Sequence, residues 1–213
     1  MDWYRKKSWD KSDEEHFFQK LSRARKDNRA QYLKIQGIEL VDAKKPELLE
    51  VAEMLLEKLL TEYPEDKFNR SSTFKTLGEI YKLRGNNEKA IEYFKKAIDF
   101  EKEYPNVQTD AYLDYAELII KMDREGNFEE VENLLTDKLE TLMFPNDKYI
   151  TYSILSYLNS RNGFENLAVE YAELAEMNAT AETSGFRYHK NLGVVKKRNS
   201  FLDKLVNGRK NFG

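Results

Sequence analysis

The chain has 213 residues with no cysteine, two histidines, four prolines and nine glycines; 40% of the residues are apolar and 13% aromatic. That balance excludes a disordered polypeptide, which lacks apolar surface worth burying, and the missing cysteines exclude disulfide frameworks, thiolate nucleophiles and zinc ribbons. The net charge of −3 is uneven: ten basic against six acidic side chains over residues 1–34, seventeen against thirty-one over 35–184, and eight against one over 185–213, so the acidic middle repels phosphate backbones, making nucleic acid an unexpected ligand for it and a basic partner a better one.

The first residues, Met-Asp-Trp-Tyr-Arg-Lys-Lys, carry positive charge with no apolar stretch behind them, and no run approaches the ~18 apolar residues of a membrane span. A soluble cytoplasmic protein with no membrane partner is expected. Ser12 to Glu15 matches a capping box, with Ser12 as the cap and Glu15 reaching back, and predicts a helix through Phe17, Phe18, Leu21 and Ala24. From there the chain repeats itself. Proline recurs at Pro64, Pro105 and Pro145; loop pairs recur at Gly85-Asn86, Gly126-Asn127 and Asn162-Gly163; small residues recur at Gly37, Gly78, Ala116 and Ser156. The clearest unit places Phe74, Leu77, Gly78 and Tyr81 on one helical stripe, breaks at Gly85, and resumes with Ala90, Phe94, Ala97 and Ile98. This is helix, tight turn, helix, with the small residues letting two backbones approach.

Those residues resemble a tetratricopeptide repeat. The unit Tyr152, Leu155, Ser156, Asn159, Gly163, Ala168, Ala172, Ala175 is similar at the same internal spacing. Two further units depart from it. Leu33, Gly37, Leu40, Ala52 and Leu56 fit with three extra residues around Lys44-Lys45-Pro46, and Tyr112, Ala116, Ile119, Val131 and Leu135 fit with a similar insertion before Gly126. The resemblance implies an all-α, right-handed α-α superhelix, a tetratricopeptide-like solenoid of about four helical hairpins with N- and C-terminal capping helices. The implied division is a capping helix in 1–30, repeats in 31–183, and an irregular basic segment with a C-terminal capping helix in 184–213. Within the last part, 184–195 is aromatic and punctuated by glycine, and 199–207 carries Phe201, Leu202, Leu205 and Val206 on one stripe, with Gly208 as the stop. Trp3, Trp9, the stretch 31–37 and the segment 184–195 are together similar to a group of bacterial tetratricopeptide-like proteins, a resemblance that implies no particular activity.

Stacked helix pairs present a concave surface lined by the first helix of each pair. The positions the family uses there correspond to Lys34 and Ile38, then Lys75, Glu79 and Lys82, then Leu113, Glu117 and Lys121, then Tyr157 and Arg161, together with Gln31, Ser72, Asp110 and Ser153. Lys34, Lys75, Lys82, Lys121 and Arg161 form a basic row that could receive an acidic peptide or a terminal carboxylate. Where carboxylate-clamp members of the family carry asparagine, this chain has Ile38, Glu79, Glu117 and Tyr157. A second arrangement has the basic segment from Arg187 to Lys210 folding onto the chain's own acidic helices and filling part of the surface.

Catalytic signals are sparse. No phosphate-binding glycine loop, nucleophile elbow, zinc-protease or calcium-loop pattern occurs. His16 sits on the first turn of a capped helix, and carboxylates such as Glu101 with Glu103 read as solvated faces. Arg187, Tyr188 and His189 form a secondary candidate site. The expected function is therefore a non-catalytic module that binds a protein or peptide, needing no cofactor or metal: a bacterial adaptor, or a neutraliser that masks a basic partner such as a toxin domain. The alternatives are a nucleic-acid-associated regulator using the basic termini and a hydrolytic enzyme centred on His189.

Overall fold

The computed structural model describes residues 2–207. Among them are ten α-helices, two short 3-10 turns and no strand. The helices are α1 (Lys11–Arg23), α2 (Lys26–Asp42), α3 (Pro46–Glu62), α4 (Arg70–Leu83), α5 (Asn87–Glu103), α6 (Ala111–Lys121), α7 (Phe128–Lys138), α8 (Pro145–Arg161), α9 (Glu165–Ala179) and α10 (Ser200–Asn207). Helices α2–α3, α4–α5 and α8–α9 pack as consecutive pairs, whereas α6 and α7 follow one another in the chain without comparable packing, and α1 and α10 stand at the two ends of the series. None of the described helices is long and apolar enough to cross a membrane. The chain divides into two compact units, residues 1–111 and 112–213.

In the first unit, α2 packs on α3, α4 on α5, and α4 touches both α2 and α3. The cap of α1 corrects the sequence reading. Asp10, not Ser12, is the N-cap: its carboxylate accepts the Asp13 N–H at 2.8 Å, and the Asp13 carboxylate reaches back to the Asp10 N–H at 3.4 Å. An aspartate outcompetes a serine here because the Asp13 carboxylate also collects Ser8 Oγ and Lys6 Nζ, tying the N-terminal segment to the helix start. That segment runs back along α2. Lys6 N donates to Gln36 Oε1 and Gln36 Nε2 donates to the Lys6 carbonyl, at 3.0 and 2.8 Å, which satisfies a glutamine buried in the helix pair. Trp3 lies 4.9 Å from the Tyr32 ring and Trp9 5.4 Å from Phe17, closing the apolar end of the unit.

The turns within the pairs are more uniform than their sequences. Lys44, Gly85, Asp123 and Gly163 all adopt the left-handed conformation, with φ of 53, 76, 51 and 82°. Each stands seven residues after the small residue of its first helix: Gly37, Gly78, Ala116 and Ser156. In three of the four the residue after the left-handed one donates its N–H back to a carbonyl five residues earlier, Asn86 to Tyr81, Arg124 to Ile119 and Phe164 to Asn159, the hydrogen bond of a Schellman cap. The insertion expected around Lys44-Lys45-Pro46 does not lengthen the turn. α3 begins two residues after Lys44, just as α5 and α9 begin two residues after Gly85 and Gly163. The three extra residues lie within the second helix. They shift its packing residue by nearly one turn and so preserve its face, so that Leu56 in α3 meets Gly37 where Phe94 in α5 meets Gly78. A Cβ on Gly78 would lie 2.5 Å from the Phe94 ring, so only glycine fits this approach.

In the second unit α8 pairs with α9, and α7 touches α8. α6 is tied to α7 by Tyr115 Oη, which donates to Glu130 Oε2 at 2.7 Å. From Thr180 to Asn199 the chain has no regular element, and it then forms α10, which packs on α8 and to a lesser degree on α9. Leu202 and Val206 are its buried residues. Eight residues are well below the roughly 12–15 that an isolated helix needs, so α10 is helical because it is docked. Gly208, expected to stop it, and the basic Arg209 and Lys210 lie outside the described residues.

Candidate functional site

The first helices of the pairs carry the candidate positions, and the two units treat them differently. In the first unit the face of α2 and α4 is partly open. Lys34 is half-buried, its ammonium 5.9 Å from the centre of the Phe68 ring; burial lowers its pKa, and the nearby Asp66 carboxylate only partly opposes this. Ile38, one turn on, is half-buried as well. On α4, Lys75 Nζ lies 2.7 Å from Glu79 Oε1 and 3.2 Å from Asp110 Oδ1, so this cation is already neutralised by two neighbours. Lys82 is half-buried. Beside these side chains Phe68 is 72% and Leu83 52% exposed, and Leu83 falls four residues after Glu79, on the same stripe.

The corresponding face in the second unit is largely closed. Leu113, expected to face a ligand, is buried, and so is Ser153. Glu117 accepts from Asn199 Nδ2 at 3.0 Å, a residue of the C-terminal segment. Tyr157 packs on Phe128 and accepts from Arg161 Nη1 at 3.0 Å. Arg161 is also ion-paired to Glu125 and lies 3.7 Å from Asp123. Lys121, at the end of α6, is exposed. Of the basic row read from the sequence, Lys75 and Arg161 are thus committed to carboxylates of their own chain.

The C-terminal segment is held by a network that the sequence did not reveal. Arg198 makes a bidentate pair with Glu176 of α9, both bonds 2.8 Å, and also reaches Asp203 at 2.7 Å. Tyr149 of α8 donates to Asp203 Oδ1 at 2.8 Å and lies 3.1 Å from the Asn199 carbonyl. The Arg198 hydrogen bond holds the Asp203 carboxyl below its usual pKa, with Tyr149 adding to the effect against burial. Burial, reinforced by Asp203, pushes the Tyr149 phenol well up. Upstream, Asn146 N donates to the Gly193 carbonyl at 2.8 Å, and Phe144 packs 5.6 Å from Phe186.

The chain matches no family model, no curated protein and no solved structure. The site therefore stands on its own geometry.

The secondary candidates lie in the irregular stretch. His189 is exposed in a turn, its N–H donating to the Phe186 carbonyl at 3.2 Å and its own carbonyl accepting Ser184 Oγ at 2.8 Å. Tyr188 is 81% exposed, with the Arg187 guanidinium 5.3 Å from its ring centre. The Arg187, Tyr188 and His189 side chains are all exposed, and among the described residues no three metal-ligating side chains converge. Two buried or half-buried carboxylates were missed in the sequence. Glu101 is not on a solvated face: it is buried and accepts Ser71 Oγ, Thr109 Oγ1 and Thr109 N, the last at 2.9 Å, fastening the segment after α5 to the start of α4. Its register was the available signal, since it follows Ala97 by four residues on the buried stripe. Glu53 of α3 receives Tyr81 Oη and Arg84; burial would raise its pKa, but these hydrogen bonds outweigh it and hold it low.

Proposed function

We propose that the protein is a non-catalytic, tetratricopeptide-like binding module that takes a peptide or helix of a partner protein on the face made by the first helices of its pairs. The observation that supports it is the α2–α4 face, where exposed Phe68 lies against the half-buried Lys34 and exposed Leu83 stands on the same stripe of α4 as Glu79. Apolar anchors ringed by polar side chains are the usual makings of a protein contact. An adaptor or a neutraliser of a basic partner fits the acidic body, whose excess of carboxylates lies mainly in residues 112–184, with fifteen acidic against five basic side chains.

The test is affinity capture from native-cell lysate with the wild-type chain and with a Phe68→Ser/Leu83→Ser variant, read by mass spectrometry. A protein captured by the wild type should fall at least tenfold with the variant, while a control substitution at an exposed residue away from the face, such as Glu173→Gln, leaves it unchanged. Equal capture by all three would refute the assignment of the face.

A further inference from the structure

In the second unit the chain's own C-terminal segment lies against α8 and reaches Glu117 of α6. Residues 185–207 carry six basic side chains and one acidic, and they fold onto a body, residues 112–184, with fifteen acidic and five basic. The contacts follow that complementarity: Arg198 to Glu176 of α9, Asn199 to Glu117 of α6, and the apolar pair Leu202 and Val206 of α10 against α8. Glu117 is one of the positions at which the first helices were expected to meet a ligand. We propose that residues 184–207 are an intramolecular stand-in for a basic amphipathic helix of a partner protein, and that such a helix binds the α6–α8 face by displacing α10. This deepens the binding-module reading by naming the partner chemistry and the regulation for the second unit.

Three features make α10 displaceable. It is only eight residues long and depends on docking for its helicity. Its tether, Thr180 to Asn199, has no regular structure and is held by few backbone bonds, so release does not unfold another helix. The Arg198 pair with Glu176 that anchors it is more than a third exposed on each side, so a competing cation can reach it. The tether also sets the affinity. A covalently attached ligand competes at a high effective concentration, and the apparent dissociation constant for an outside helix rises by the reciprocal of the fraction of molecules with the face free. What binds in trans must therefore exceed α10 in apolar contact or positive charge.

The experiment uses the full chain and a fluorescein-labelled synthetic peptide of residues 196–207, read by fluorescence anisotropy. A Leu202→Asp/Val206→Asp variant frees the face, because two carboxylates cannot enter the apolar contact. It should bind the peptide at least tenfold more tightly than wild type, and a further Glu117→Lys/Glu176→Lys substitution should remove that gain. A variant that keeps its helical circular dichroism yet binds no better than wild type overturns the proposal. Should the variant not fold, hydrogen exchange on the wild type decides: an excess of the unlabelled 196–207 peptide carrying Ser200→Lys and Asn207→Lys, two exposed positions that raise its positive charge above that of α10, should deprotect the amides of α10 and leave those of α4 unchanged, and no deprotection overturns the proposal. A wild-type dimer that the peptide dissociates would also overturn it, by assigning the face to α10 of a second copy. None of these outcomes touches Phe68 or Leu83, so failure here is separable from failure of the binding-module reading.

Discussion

The two units build the same kind of helix pair and differ in what lies on it. The first carries twenty-two basic and twenty-two acidic side chains, its flanking residues pack around α1 and α2, and the α2–α4 face keeps Phe68 and Leu83 in solvent. The second concentrates negative charge in its body and covers its face with its own basic C-terminal segment. Equivalent helix positions therefore have different fates: Lys75 remains only half-buried, whereas Ser153, at the same place in α8, is fully buried. Shared architecture does not fix a shared surface, because the surface depends on what the flanking chain does.

The largest expected effect tests the packing that the pairs share. Phe94→Ala opens a cavity against Gly78 and should cost about 3–5 kcal/mol. Hydrogen exchange should show lost protection in α4 and α5 while α8 and α9 keep theirs; equal loss in both units would mean that they do not unfold separately. Next is the buried carboxylate of the first unit. Glu101→Ala leaves the Thr109 N–H without its acceptor and should cost about 1–3 kcal/mol by urea denaturation, and a loss near zero would show that water takes over its role.

The second unit offers a test of its latch. Tyr149→Phe removes the hydroxyl that donates to Asp203 and should weaken α10 docking by about 1.5–3 kcal/mol, read as faster exchange of α10 amides with α9 unaffected. The same latch has a pH signature. Because the folded state depresses the pKa of Asp203, its contribution is complete above the unfolded value near 3.8 and is lost as pH falls through and below it. Protection of α10, corrected for intrinsic exchange, should thus hold above about pH 4 and fall progressively as the pH is lowered from there through the depressed folded value, and an Asp203→Asn variant should lack that part of the drop. The smallest effect concerns the turns. Lys44→Gly relieves a left-handed non-glycine residue and should raise the stability of the first unit by up to about 1 kcal/mol, whereas Gly85→Ala, with open space around the new methyl group, should lower it by about 1 kcal/mol. Opposite signs from two equivalent turns in one unit would be hard to obtain by any other route, and like signs would break the equivalence.

Sequence periodicity alone determined the all-helical character, the small residues at Gly37, Gly78, Ala116 and Ser156, and the short terminal helix, of whose expected stripe Phe201, Leu202, Leu205 and Val206 the second and last are buried. These are local properties: a 3.6-residue stripe and a turn-forming residue act over a few residues and leave their mark on the sequence wherever they act. The α1 cap was misplaced by two residues because Asp10 and Ser12 both satisfy the pattern, and only Lys6 and Ser8 folding back onto Asp13 decide between them. The surroundings of the candidate positions were decided by tertiary structure. Lys75 meeting Asp110, Glu101 receiving Ser71, and Arg198 clamping Glu176 and Asp203 bring together residues separated by between five and thirty-five positions, where charge and hydrogen-bonding capacity are visible in the sequence but the partner is not. A charged side chain takes its meaning from the group that neutralises it, and that group is chosen by the fold.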